Sequence, residues 1–303
     1  VGAHVAVEQT VEFPLDLLPR GDIADHIVGR VTDIVKVGAL AHDVTISYAV
    51  EIAGGDLVQL LNVAFGNVSL LEGVRLVDLA VPPSITKALS GPRFGIEKVR
   101  SLVGAARRPL LSSALKPLGL RSSDLAAVAG ALARGGVDLI KDDQGLADQV
   151  FGRFHDRVKA CAGAVAEANI ATGRRALYFA NVTTRSDRIF DRAYDAKSLG
   201  ATGLLVCPAL VGLDIMRALA DDDSLSLPIM AHPSFIGSHV AGPHSGIAHG
   251  LVFGTLQRLA GADISVFPSF GGRFSFTQTE CAEIADACRS SLGSLRTTLP
   301  APG

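Results

Sequence analysis

The chain has 303 residues, 48% of them apolar, a formal net charge of −2, only 5% aromatic side chains and no tryptophan. So balanced a charge gives no case for nucleic acid or an anionic membrane, and so few rings give no stacking platform for bases. No apolar run approaches the ~20 residues that span a bilayer, so one large domain or two smaller ones in water are expected.

Four cysteines, Cys161, Cys207, Cys281 and Cys288, show no C-x-x-C spacing. They read as free buried thiols of a reducing, cytoplasmic compartment. Cys281 and Cys288 stand two turns apart on one helical face. Val1 to Val7 lacks the charged and apolar regions of a leader. The missing initial Met and the close at "TLPAPG" suggest that both ends are cut.

Up to about residue 95, short strands such as "HDVTISYAV" and "VRLVDLAV" flank one helical stretch, "GDLVQLLNVAFG". That mixture is α+β grammar. "PPSITKALSGPRFG" is rich in Pro and Gly and reads as a connector. It divides an N-terminally incomplete domain over 1–95 from a C-terminally incomplete one over 96–303.

From Arg108 onward a strand, a loop and a helix alternate. "RPLLSSALK" precedes a helix from about Ser123, with a Ser/Asp start and a Gly-Gly stop. "VDLIK" precedes a helix around 154–172, "ALYFANVT" precedes "RIFDRAYDAKSLG", and "TGLLVCP" precedes "GLDIMRALAD". "LPIMAH" leads through a Gly/His-rich loop into "GIAHGLVFGTLQRLAG". "DISVFPS" leads through "FGGRFSF" into "TQTECAEIADACRSSLG", and "RTTLPAPG" opens a seventh unit. Apolar strands at intervals of about 25–40 residues, each followed by a helix, predict a parallel sheet with helices outside. The expected fold is an α/β (β/α)8 TIM barrel lacking its last unit. A doubly wound sheet is the alternative, although the first βα turn has no G-x-G-x-x-G.

Barrel active sites form where strands finish. Those exits carry Lys116, then Lys141, Asp142, Asp143 and Gln144, then Asn181 and Thr183, then His232, and last Ser269 with Arg273 in the following loop. Cations, a carboxylate and an imidazole converging from several strands indicate chemistry, and one reading of "KDDQ" is a metal site. Arg273 behind Gly271–Gly272 suits a mobile cation above a phosphate or oxyanion. His239, His244 and His249 are five apart, a spacing that does not set three zinc ligands on one helical face. Ser112, Ser113 and Ser234 lack the adjacent base of nucleophilic serine chemistry.

"RPLLSSALKPLGL" followed by "GGVDLIKDD" resembles the RuBisCO large-chain superfamily, specifically its non-photosynthetic RuBisCO-like (form IV) members, and "PIMAHPS" and "GADISVFPS" resemble the methionine-salvage members of that group. The resemblance runs from about Glu8 to Gly303. It implies a small α+β, ferredoxin-like domain ahead of the barrel and active sites at a homodimer interface. It also implies Mg2+ bound by a CO2-carbamylated Lys141, by Asp143 and by Gln144, which stands where the family usually has Glu. Lys116 matches the proton-transfer lysine of enolisation, and His232 and Arg273 fall among the catalytic positions. Glu8, Asn181, Ser269 and Gly303 match substrate-binding positions, Glu8 in the neighbouring subunit's site and Gly303 in a phosphate-holding turn.

Three departures sort the activities. Pro117 is followed at once by Leu118, and Arg273 replaces a lysine, so both carboxylase lysines are missing and CO2 fixation is not implied. Arg93 stands where the diketo-methylthiopentyl-phosphate enolases carry a lysine base, and guanidinium is a poor base. The implied reaction is decarboxylation of a phosphorylated keto-sugar acid of the 3-oxo-isoapionate 4-phosphate type. The alternatives are a methionine-salvage enolase or isomerase, and a catalytically lapsed binding or regulatory protein.

Overall fold

The computed structural model describes all residues from Val1 to Gly303. Its strands, in chain order, are β1 (Arg30–Lys36), β2 (His42–Ser47), β3 (Arg75–Leu76), β4 (Ser112–Leu115), β5 (Leu139–Asp142), β6 (Leu177–Asn181), β7 (Gly203–Val206), β8 (Ile229–Ala231), β9 (Gly246–Ile247), β10 (Ile264–Phe267) and β11 (Leu299–Pro302). Two compact units result: Val1–Leu89 with Ser238–Ala248, and Ser90–Gly237 with His249–Gly303.

In the first unit β1 and β2 form an antiparallel pair, and β3 pairs in parallel with β9. The helix Leu57–Phe65 starts at Asp56, whose carboxylate accepts from the backbone N–H groups of Val58 and Gln59. "VRLVDLAV", expected as a full strand, contributes only Arg75–Leu76, because β9 is two residues long and offers no further partner. The expected connector "PPSITKALSGPRFG" holds a helix, Pro83–Ala88, for which Pro83 supplies a preset first turn.

The second unit is built on one parallel sheet of seven strands, in the order β11-β10-β8-β7-β6-β5-β4, curled as an α/β half-barrel. Helices Ser122–Gly135, Phe154–Thr172 and Ile189–Ser198 follow β4, β5 and β6. The first two stop at Gly136 and Gly173, both left-handed at φ +96° and +68°, which glycine adopts without a Cβ clash. The helix Gln278–Arg289 begins with a reciprocal cap between Thr277 and Glu280.

Strands β5 to β8 are buried throughout, so their sequences are apolar runs rather than alternations. Leu139, Phe179, Leu205, Met230, Ile264 and Leu299 from six strands pack against Val99 and Val103. The last two lie on the helix Gly95–Val103, an element the sequence reading did not mark. Each such side chain contributes about 1.5–3 kcal/mol of burial.

Two aspartates organise the strand beginnings. Asp263 Oδ1 accepts from the backbone N–H groups of Phe94 (2.6 Å) and Gly95 (2.8 Å), and Oδ2 accepts from that of Ile229 (2.9 Å). Burial pushes its pKa up to about 6 against the pull of those three donors. Asp138 takes the N–H of Leu111 and both ends of the Arg108 guanidinium, a fork geometry. The start of the Gly95–Val103 helix is thereby tied to β8 and β10, and the entrance of β4 to β5. All four cysteines are free thiols. No helix is long and apolar enough to cross a membrane.

Candidate active site

Strand side chains alternate between faces, so Leu139, Lys141 and Asp143 share one face and Asp142 takes the other. Leu139 belongs to the core, which puts Lys141 and Asp143 above it, at the end where the strands finish. Lys116, one residue beyond β4, brings Nζ within 2.7 Å of Asp143 Oδ1. The two form an ion pair, and no other donor reaches the buried oxygen. Asp143 therefore keeps a lone pair beyond the one that faces Lys116, in a place that water barely reaches.

Lys141 is 8% exposed, and its Nζ donates only to the carbonyl of Asp142, at 3.1 Å. Burial lowers its pKa, Lys116 lowers it further, and Asp143 opposes both. The neutral amine is therefore more accessible than in water. The amide side chain of the half-buried Gln144 makes no hydrogen bond. Its backbone oxygen accepts from Asn181.

His232, just past β8, feels the charges of Lys141, Asp143 and Lys116. Burial first, and the lysines after it, push its pKa down to about 3. The backbone N–H of Ser234 donates to Nδ1 at 3.2 Å, and the Ser234 hydroxyl lies 3.0 Å from the same nitrogen. A ring nitrogen that accepts carries no proton, so the neutral imidazole bears its hydrogen on Nε2. In this state it offers a donor, not a general acid's charge.

The remaining expected residues fall in separate places. Asn181 is 1% exposed and commits Nδ2 to the carbonyls of Gln144 and Leu146, both at 3.0 Å, while Oδ1 takes the N–H of Thr183. It holds the loop that carries Gln144. Ser269 and Gly303 meet at the exits of β10 and β11, the Gly303 carbonyl accepting from the Ser269 N–H (2.9 Å) and hydroxyl (3.1 Å). Arg273 is exposed with its guanidinium 4.9 Å from the centre of the Phe274 ring. Glu8 lies in the first unit, where Oε1 accepts from Asn67 at 3.2 Å.

Arg93 is occupied elsewhere. Its guanidinium donates to the carbonyls of Ala220 (3.0 Å) and Asp221 (3.1 Å) and pairs with Asp223 (2.8 Å). It thus caps the C-terminal end of the helix Leu213–Asp221, where a cation is favourable. His249 packs its ring on Phe276 and sits 3.3 Å from Glu280.

No group of three or more His, Cys, Asp or Glu side chains is gathered to hold a metal ion. A cavity of about 550 Å3 lies against the opposite strand ends, with Arg108, Asp138, Arg174 and Arg175 in its wall. Three helix C-termini, at Gly104, Gly136 and Gly173, close that wall. Arg108 there is already committed to Asp138 and to the Pro109 carbonyl. Conserving chemistry at the other end of the strands is the general rule of such barrels.

The sequence reading took Asp142 only as part of "KDDQ" and missed Arg157, which pairs with it at 3.2 Å with both side chains fully buried. The signal was present. Phe154, Arg157, Val158 and Cys161 form one buried helical stripe, in which Arg157 is the odd member.

Residues 95–271 match the family model of the ribulose bisphosphate carboxylase large chain, catalytic domain. The chain is 37% identical over 300 residues to the 5-methylthioribulose-1-phosphate isomerase of Rhodospirillum rubrum, covering 98% of this chain and 78% of that one. It is 38% identical over 308 residues to the 2,3-diketo-5-methylthiopentyl-1-phosphate enolase of Bacillus pumilus, covering 99% and 75%. The crystal structure of a Rubisco-like protein from Rhodopseudomonas palustris superposes with a TM-score of 0.92 at 39% identity, over 100% of this chain and 82% of that one.

Proposed function

The chain belongs to the RuBisCO large-chain family as a RuBisCO-like protein, and on that premise we propose that it is a Mg2+-dependent enzyme of enediolate chemistry. Its substrate is a phosphorylated keto-sugar acid, and its reaction is decarboxylation of the 3-oxo-isoapionate 4-phosphate type. The observation that carries this reading is the buried Asp143 Oδ1, which has Lys116 as its one partner and whose charge acts on the buried Lys141.

The fit to Mg2+ is conditional on Lys141. As an ammonium it repels a cation; as a carbamate it becomes an anionic oxygen ligand beside Asp143. Burial favours the neutral amine, the form that attacks CO2. Asp143 Oδ1 and the free amide oxygen of Gln144 complete the set of oxygens that a hard cation prefers. Mg2+ held there supplies Lewis acidity toward developing oxyanions.

The rest of the reaction falls to the chain's own groups. As the carbon–carbon bond to the carboxylate breaks, CO2 leaves and the electron pair remains as an enediolate. The Lys116 ammonium delivers a proton to carbon, general acid help worth ~10²–10⁴-fold. His232 donates from Nε2 to a substrate oxygen and is not the base. Ser269 and Gly303, joined at the exits of β10 and β11, face the phosphate. Arg273 closes over it, and Glu8 enters from the partner subunit of a cytoplasmic homodimer.

The names of the isomerase and enolase relatives favour a second reading, enolisation of a methylthio-sugar phosphate by the same Lys116. One experiment separates them. The protein is incubated with 3-oxo-isoapionate 4-phosphate or with 2,3-diketo-5-methylthiopentyl-1-phosphate, with and without Mg2+. Mg2+-dependent CO2 release from the first supports the decarboxylase. Turnover of the second alone supports the enolase, and turnover of neither, in protein that binds no Mg2+, supports a lapsed binding protein.

A further inference from the structure

The middle residue of "KDD" faces away from the cluster, and its partners are unusual. Asp142 Oδ1 accepts from the Tyr178 hydroxyl at 2.8 Å. Oδ2 accepts from the Asn181 N–H at 3.0 Å and from Arg157 Nε at 3.2 Å. Asp142, Arg157 and Tyr178 are all 0% exposed.

Two of these partners reach on into the loop that follows β5. Arg157 Nη1 donates to the carbonyls of Ala147 (2.7 Å) and Gly152 (3.0 Å). The Asn181 amide donates to those of Gln144 and Leu146. Four carbonyls between positions 144 and 152 are thus gripped by two residues bound to one carboxylate, Arg157 through its guanidinium and Asn181 through its backbone N–H. The loop's near end is Asp143 and Gln144.

Stability alone does not account for this arrangement. A fully buried ion pair roughly cancels its own desolvation cost, and apolar residues of equal volume commonly serve as well. Arg157 Nη2 is also left buried without an acceptor. What a buried, directional network does supply is a single geometry. We propose that Asp142 is a positioning residue: through Arg157 and Asn181 it fixes the loop 143–152, and so sets Asp143 and Gln144 against Lys141 and Lys116. The inference rests on the metal-site reading above and extends it to residues that touch neither metal nor substrate.

The test uses the full chain with Asp142→Asn, Arg157→Lys and the milder Tyr178→Phe. Three quantities are measured: Mn2+ affinity with bicarbonate present, melting temperature, and the rate at which acetic anhydride labels Lys116. Outer-shell changes of this kind weaken metal binding by ~10–100-fold. Asp142→Asn is expected in that range and Tyr178→Phe at its lower end, with melting within a few degrees of the parent in Tyr178→Phe. Lys116 is expected to label faster in both, because Asp143 no longer stays against it. Mn2+ affinity equal to the parent's in Tyr178→Phe and Asp142→Asn overturns the proposal. So does a loss of affinity that only tracks a loss of melting temperature across the three variants. If the parent itself binds no Mn2+, the metal-site reading fails, and Lys116 labelling alone decides: faster in Asp142→Asn supports positioning, unchanged overturns it.

Discussion

Replacing Gln144 by Glu places a second carboxylate beside Asp143, and hard cations bind oxygen sets more tightly as the negative charge of the set rises. Gln144→Glu is therefore expected to tighten Mn2+ binding on the order of tenfold. Calorimetric titration of parent and variant checks it, and unchanged affinity removes Gln144 from the ligand set. His232 makes a second statement at this scale. Its folded pKa of about 3 lies below the ordinary value of 6.5, so between those values the unfolded chain binds the extra proton. Stability contributed by the neutral ring is present above pH 6.5 and is lost as pH falls toward 3, by at most ~1.4 kcal/mol per unit. Melting curves from pH 7 to pH 4 should therefore fall less steeply in His232→Gln than in the parent. Parallel curves contradict the assignment. These residues were legible because strand exits are where charge is hard to explain by folding. Asn181 was legible only as a polar residue at an exit. That its amide would turn to the loop beneath, and not outward, depends on carbonyls brought together by tertiary structure.

At the scale of elements, the strand entrances matter as much as the exits. Asp263 collects three buried N–H groups from two segments far apart in sequence, and removing it strands all of them. Asp263→Ala is expected to destabilise the second unit by about 3 kcal/mol or more, since each orphaned buried donor costs ~1–3 kcal/mol. Urea unfolding gives the value, and a loss below about 1 kcal/mol contradicts the role. The strands from β4 onward and the long helices were legible because apolar runs and helical stripes with Gly stops are local signals. The helix Gly95–Val103 was hidden by the Pro/Gly-rich segment before it, although Ile96, Val99 and Val103 mark a stripe and Gly104 a stop. "GIAHGLVFGTLQRLAG", expected as one helix, divides at β9, and Gly250–Leu256 coils with a π-helical repeat. Gly250 and Gly254 allow it to lie against the helix Gln278–Arg289, where added Cβ atoms would come within 3.0 Å of Glu283 O and 2.4 Å of the Ala287 side chain. Such a contact between segments leaves no periodic trace in either one.

For the molecule as a whole, the curled parallel sheet places Lys116, Lys141, Asp143 and His232 at the strand exits, with the apolar layer that includes Leu139 and the helix Gly95–Val103 on the entrance side of them. The order of strands in the sheet follows the order in sequence, which is why alternation alone was enough to foresee it. The proposed sharing of the site between subunits is a different matter, because an interface leaves no such rhythm. If Glu8 serves the partner's site, a mixture of Glu8→Ala and Lys141→Ala chains, each inactive, recovers activity through mixed dimers that hold one intact site. With random pairing the recovery is about a quarter of the parent's activity. No recovery after verified subunit exchange contradicts a shared site. The central claim is that Lys141 and Asp143 form a carbamate-dependent metal centre, and a calorimetric Mg2+ titration with and without bicarbonate tests it most directly. The expected result is binding that strengthens with bicarbonate in the parent chain and disappears in Lys141→Ala; binding that ignores bicarbonate and survives the substitution contradicts it.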